Sequence, residues 1–211
     1  ASLYAFDLVD RRAKRRPGLP QAEPRPIRKV GLVGAGLMAA QLAALFLRRL
    51  EVPISIRDVD EDALASARER IDDELAEQLA SGRYDEGKAR FLASLVSTST
   101  SYEGFADCDL VLEAVFEEPG LKRQVFAELR EHVRDDCVLA TNTSSLSVAE
   151  MGADVGIHFF NPVAVLPLVE LVRTPNTDDA ALATAWELTT KLRKTAVLVD
   201  DAPGFVVNRV L

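Results

Sequence analysis

The chain has 211 residues, 48% hydrophobic and 27% charged, enough for one sizeable core in a soluble globular protein. Its net charge of −8 argues against non-specific nucleic-acid binding, and its longest apolar runs fall far short of the roughly 20 residues that cross a bilayer. The N-terminus lacks the order of a signal peptide, and Cys108 and Cys137 border or occupy apolar runs; a cytoplasmic protein with buried free thiols and no metal site is expected.

Residues 1–29 carry eight Lys/Arg against three acids, leaving −13 for the remainder. Arg11, Arg12, Lys14, Arg15 and Arg16 could form a nucleic-acid arm, but no aromatic residues interleave and a solvated linker fits better. Leu3, Phe6 and Val9 give residues 1–16 a short amphipathic helix pattern, which runs into Pro17, Gly18, Pro20, Pro24 and Pro26. Residues 1–26 therefore read as a helix and Pro-rich linker from an upstream domain, and residues 27–211 as one main domain. A chain that starts without Met inside such a pattern looks cut from something longer.

Ile27–Val33 is a β-type run that enters the turn Gly34-Ala35-Gly36 and leaves as a helix over Leu37–Leu50. Gly34 permits the tight turn. Gly36, lacking a Cβ, lets backbone approach a pyrophosphate whose charge is met by free N–H groups and the positive helix end. Ala39 takes the third position of G-x-G-x-x-G/A, where a small residue lets helix pack on strand. A second apolar run, Val52–Ile56, leads to Asp58, 24 positions past Gly34. A carboxylate there suits a ribose 2′-hydroxyl and repels a 2′-phosphate, so the cofactor expected is NAD rather than NADP.

A long helical pattern through Ala63, Leu64, Ala67, Ile71, Leu75 and Leu79 closes at Ser81-Gly82, and a helix over about Asp85–Leu95 follows. Strands are expected at Val96–Thr98, Asp109–Val115 and Cys137–Thr141, with a helix marked by Leu121, Val125, Leu129 and Val133 before the last. This alternation predicts an α/β fold with a doubly wound, mostly parallel sheet. Ligands of such sheets bind outside the carboxyl ends of the strands, which singles out Gly34–Met38 (with Leu37 and Met38), Asp58, Glu117, Lys122 and the polar run Thr141–Ser145. The plain reading of that run is a helix N-cap; its place over the nucleotide site favours a functional one.

Val155–Phe160 reads as a strand ended by Asn161-Pro162, and Leu168–Val172 as its returning partner. Glu170 lies among four aliphatics, and a buried carboxylate needs a partner. The candidate is His158. A His–Glu pair fixes the ring tautomer and stabilises the imidazolium after proton uptake, which suits a base that takes a hydroxyl proton while the carbon gives hydride to a nicotinamide. A structural ion pair is the competing explanation. His132 is expected at the surface and Trp186, on a helix over Asp178–Leu192, in the core. Thr195–Val199 is a further strand, and after Asp200–Gly204 an apolar helix begins in which Asn208 faces the site.

The motifs G-A-G-L-M-A at 34–39, N-T-S-S-L-S at 142–147, H-F-F-N-P-V at 158–163, P-L-V-E-L-V at 167–172 and D-A-P-G-F-V-V-N-R at 201–209 resemble, in this order, the NAD-binding domain of the L-3-hydroxyacyl-CoA dehydrogenases of fatty-acid β-oxidation. The lead-in A-F-D-L-V-D-R-R-A-K-R at 5–15 is similar to the connector that follows the enoyl-CoA hydratase domain in multifunctional β-oxidation α-subunits, most closely the bacterial ones. The resemblance implies a Rossmann-type domain, an acyl-CoA substrate, His158 as base with Glu170 behind it, Ser144 and Asn208 on the substrate oxygen, and Asp58, Glu117, Lys122 and Asn161 on NAD. It also implies an upstream hydratase domain, a downstream all-helical domain and a thiolase partner subunit. The chain between Leu146 and His158 is several residues shorter than in the family. Alternatives are a non-catalytic NAD-binding structural or regulatory module of the same fold, and a different β-hydroxyacid dehydrogenase; the latter commonly use a lysine base, and no lysine lies in Val155–Val172.

Overall fold

A computed structural model describes residues 21–210; the helix expected over residues 1–16 lies outside the described residues. The elements are β1 (Val30–Val33), α1 (Leu37–Leu50), β2 (Ile54–Arg57), α2 (Glu61–Ala80), α3 (Glu86–Ser94), β3 (Val96–Ser99), β4 (Leu110–Glu113), α4 (Pro119–His132), β5 (Val138–Thr141), α5 (Val148–Met151), β6 (Val155–Phe159), β7 (Leu168–Arg173), α6 (Asp179–Lys191), β8 (Thr195–Asp200) and α7 (Val207–Val210). No described helix is long and apolar enough to cross a membrane.

The strands form one sheet in the order β3-β2-β1-β4-β5-β6-β7-β8. The first six are parallel, β7 runs antiparallel to β6, and β8 is parallel to β7. This is the doubly wound α/β sheet that the alternation predicts. One core cluster contains α1, α2 and α6 residues such as Leu42, Phe46, Ile71 and Leu188. The other contains Phe105, Val125, Phe126 and Leu129, partly from α4. Trp186 belongs to the first, and both cysteines are free and buried in the second, as expected.

Helix starts follow capping chemistry. Asp60, Asp85, Glu118, Ser147 and Asp178 each accept hydrogen bonds from first-turn amides of the helix they precede. Strand starts differ from the hydrophobic runs for equally local reasons. β1 begins at Val30 rather than Ile27, because the amides of Arg28 and Lys29 donate to Asp109 Oδ2 (2.7 and 3.1 Å) instead of to a ladder. β2 begins at Ile54 rather than Val52, since Pro53 has no N–H to pair. Its carbonyl still accepts from Val30 (3.0 Å).

The register of β6 decides where the chemistry sits. It pairs with β5 only through Ala140↔Val155 and Thr141↔Gly156, so the rest of β6 projects past the carboxyl edge of β5. On the far side Phe159 pairs with Val169, and His158 lies directly opposite Glu170. The sheet thus carries a cross-strand His–Glu pair beyond the end of its parallel part.

Candidate active site

The glycine turn is built as its residues dictate. Gly34 has φ +104°, and a Cβ there would stand 2.6 Å from the Ala114 carbonyl oxygen, so the backbone demands glycine. Gly36 is different: its φ is −70°, and a Cβ would meet nothing within 4 Å. The helix it opens has no side-chain cap. The open space and uncapped amides leave room and donors for an anion such as a pyrophosphate. Ala39 is fully buried between helix and sheet.

Beside this turn lies a groove of about 500 Å³ lined by Gly34, Gly36, Leu37, Met38 and Asp58 from one side and by Val115, Phe116 and Leu121 from the other. Five expected cofactor residues are thereby brought together. Asp58 Oδ2 also accepts from the Ala35 amide (2.7 Å) and Oδ1 from the Asp60 amide (3.1 Å), so the carboxylate ties the glycine turn to the end of β2. Phe116 and Val59 stand 81% and 74% exposed at the groove, leaving apolar surface for a ring to cover.

Lys122 is 1% exposed; its ammonium donates to Glu113 Oε1 (2.7 Å) and lies 3.3 Å from Glu117 Oε2. Glu113, wholly buried on β4, also accepts from Thr141 Oγ1 and the Val115 amide, both at 2.7 Å. Glu117 Oε1 accepts from Thr143 Oγ1 (2.6 Å), the Ser144 amide (2.9 Å) and Ser144 Oγ (3.3 Å). Burial alone would raise the Glu117 pKa, but the Thr143 and Ser144 bonds and the Lys122 charge hold it below the ordinary value. Lys122 therefore sets two carboxylates, one of which positions Ser144. Glu113 escaped the sequence reading, although an acid among the aliphatics of L-V-L-E-A-V carries the same signal that marked Glu170.

The second half of the site is the His–Glu pair. His158 Nδ1 donates to Glu170 Oε2 at 2.8 Å, and both residues are buried. Glu170 Oε1 accepts from the amides of Val206 (3.0 Å) and Val207 (2.9 Å). Those amides converge because Gly204 and Phe205 both hold left-handed conformations, φ 73° and 48°. The His158 ring lies 4.4 Å from that of Phe160 and 5.8 Å from that of Phe205, centre to centre. Asn208 Nδ2 donates to the Ser144 carbonyl (2.9 Å), joining the last helix to the Thr141–Ser145 run. Asn142, of the polar run Thr141–Ser145, fixes the start of the loop after β6 by accepting from the Phe159 amide (2.9 Å). Asn161 follows, exposed, joined to Pro162 by a cis bond. The short helix α5 is capped by Ser147 and also by Asp201, which accepts from the Val148 and Ala149 amides (3.0 and 2.9 Å). His132 is at the surface, stacked on Tyr102.

A glycine turn over a groove and an acid at the end of β2 are the arrangement of a dinucleotide-binding sheet, and a buried His–Glu pair lies past the sheet edge. The family model described as the NAD-binding domain of 3-hydroxyacyl-CoA dehydrogenase matches residues 29–202. The chain belongs to this family. Its cofactor is NAD. Among relatives of this 3-hydroxyacyl-CoA dehydrogenase domain is the fatty acid oxidation complex subunit alpha of Idiomarina loihiensis, 33% identical over 205 residues, covering 94% of this chain and 29% of that protein. The peroxisomal fatty acid β-oxidation multifunctional protein MFP2 of Arabidopsis thaliana is 36% identical over 195 residues, covering 89% and 27%. The chain thus spans under a third of the length of these relatives. In structure it is similar to the (S)-3-hydroxybutyryl-CoA dehydrogenase PaaH1 of Ralstonia eutropha, with a TM-score of 0.80 and 32% identity over 88% of this chain and 68% of that one.

Proposed function

We propose that the chain is the NAD-binding part of a longer multifunctional enzyme and oxidises (3S)-3-hydroxyacyl-CoA to 3-oxoacyl-CoA in fatty-acid β-oxidation. The observation that carries this reading is the buried pair His158–Glu170, held beyond the carboxyl edge of the sheet and beside Ser144 and Asn208. With Nδ1–H donated to Glu170, Nε2 is the nitrogen free to take the 3-hydroxyl proton, and Glu170 stabilises the imidazolium that results. NAD, when bound, supplies the hydride acceptor. Gly34, Gly36, Leu37, Met38 and Asp58 hold it along the groove, with Glu117 and Asn161 further along and Lys122 acting through Glu117. Ser144 and Asn208 orient the substrate oxygen, and Phe160 and Phe205 keep water from the ring. A binding module without turnover has no use for this buried pair, which speaks against the non-catalytic alternative.

In this reading residues 1–26 are a linker from an enoyl-CoA hydratase domain and 27–211 the dehydrogenase domain, followed by a helical domain that closes the acyl site. A thiolase subunit is the partner. Support for the multidomain parent comes from the length of the relatives. A cytoplasmic location fits the two free thiols.

The test is NADH-linked turnover of 3-oxoacyl-CoA by the full-length parent. His158→Gln lowers turnover by roughly 10²–10⁴-fold while NADH still binds. Near-normal turnover in that variant would sink the assignment. Fluorescence titration of the chain itself with NADH and NADPH checks the cofactor site: tight NADH and weak NADPH binding are expected.

A further inference from the structure

The groove beside the glycine turn has a basic residue in its wall that the expected cofactor residues do not include. Arg57, the last residue of β2, lines it along with Ala114 and Val125. Its backbone is fixed by the sheet: it stands opposite Val33 and Ser99, and its carbonyl accepts from the Gly34 amide (2.8 Å). Side chains alternate along a strand. Ile56 turns into the core cluster that contains Leu42 and Phe46, so Arg57 turns to the other face, where Tyr102 and the α4 residues cluster. There its Cζ lies 4.5 Å from the centre of the Tyr102 ring.

Tyr102 is buried and firmly held. Its hydroxyl donates to Glu128 Oε2 (3.0 Å), Phe105 meets it edge-on at 5.6 Å, and the His132 ring lies 4.9 Å away. Arg57 is therefore laid against a fixed ring. Its own donors are unmet: Nε is buried without a hydrogen-bond partner, and among the described residues no carboxylate pairs with the guanidinium, whereas Arg68, Arg130 and Arg134 each hold one. Asp58, its neighbour in sequence, directs its two oxygens to the Ala35 and Asp60 amides.

Arg57 lines the groove and Tyr102 does not, so the guanidinium stands between the ring and the open space. A planar guanidinium stacks on aromatic faces, and one of its faces is already covered. The other is open to a second ring. In a sheet of this kind the glycine turn takes the pyrophosphate and the acid after β2 takes the ribose, which leaves the apolar wall of Val115, Phe116, Leu121 and Val125 for the base.

We propose that Arg57 selects the purine of the dinucleotide, its guanidinium stacked between Tyr102 and the adenine. NAD is the cofactor of the family, so this assignment stands apart from the acyl-CoA reading.

The experiment is fluorescence titration of the chain with NADH, with NADPH and with reduced nicotinamide cytosine dinucleotide, whose single-ring base offers less face to stack on. Wild type, Arg57→Met and Arg57→Lys are compared, with urea midpoints to check that the variants fold. Methionine keeps an unbranched chain on Tyr102 without a planar cation, and lysine keeps the charge but not the plane. Arg57→Met is expected to lose roughly tenfold in affinity for NADH and for NADPH, which share the base, and Arg57→Lys a similar factor. Affinity for the cytosine dinucleotide should barely change, because side chain and base are coupled only where they touch. Parallel losses for NADH and the cytosine dinucleotide would overturn the proposal, and so would recovery of NADH affinity by lysine, which is a charge effect on the phosphates. A loss confined to NADPH would assign Arg57 to a 2′-phosphate and overturn it as well. Failure of the acyl-CoA reading shows elsewhere, as unimpaired turnover in His158→Gln of the parent.

Discussion

Glu170 accepts three hydrogen bonds, from His158 Nδ1 and from the amides of Val206 and Val207. Glutamine in its place has one oxygen and one NH₂, so a donor must face either the ring N–H or the two amides. Glu170→Gln is therefore expected to lose about 1–3 kcal/mol in urea unfolding, and turnover of the parent with it, while NADH binding persists. Glu117 gives a pH signature. Its folded pKa lies below the ordinary value of 4.5 despite burial, through Thr143, Ser144 and Lys122. A depressed folded pKa contributes stability that is present above 4.5 and lost as the pH falls through the lowered value. Glu117→Gln removes that contribution, so urea midpoints of wild type and variant should converge as the pH drops below 4.5. A gap that stays constant with pH would show that Glu117 is not held ionised by the fold.

At the scale of the elements, the two glycines of one turn separate folding from binding. Gly34→Ala puts a Cβ 2.6 Å from the Ala114 oxygen at φ +104° and should destabilise by more than about 1 kcal/mol. Gly36→Ala meets no atom within 4 Å and should leave the urea midpoint nearly unchanged, yet weaken NADH binding by filling the cradle. Equal effects of the two on stability would contradict the geometry. The order and type of the elements, the turn, Asp58 and the His158–Glu170 pair were legible in the sequence, because periodicity and a buried acid leave local marks. Strand starts were not, since they depend on Asp109 reaching across to Arg28 and Lys29 and on the missing N–H of Pro53. The Lys122–Glu113 pair was not legible for a similar reason: Glu113 sits nine residues away on another element, and only the packing of α4 on β4 brings them together.

For the whole molecule, the short overlap of β5 and β6 divides one sheet into a half with the glycine turn and a half with the His–Glu pair on its projecting strands. Residues 21–29 run outside this frame yet are pinned to it, Arg25 by its amide to Thr184 Oγ1 (2.8 Å) and by its guanidinium to Asp178. The ion pair is exposed and worth at most about 1 kcal/mol, and the amide bond about the same. Deletion of residues 1–26 should lower unfolding free energy by about 1–2 kcal/mol and leave NADH affinity intact. Loss of NADH binding on that deletion would move the domain boundary upstream.

The tie from Arg25 spans 159 residues of chain, and the amides that hold Glu170 come 36 and 37 residues after it. A ribosome releases the chain from its N-terminus, so β1, the glycine turn and the groove can form long before either closure is possible. The nucleotide groove can thus form before the His–Glu pair gains its last anchor. Arg25 waits on α6 for its anchor, and the His158–Glu170 pair waits on Val206 and Val207.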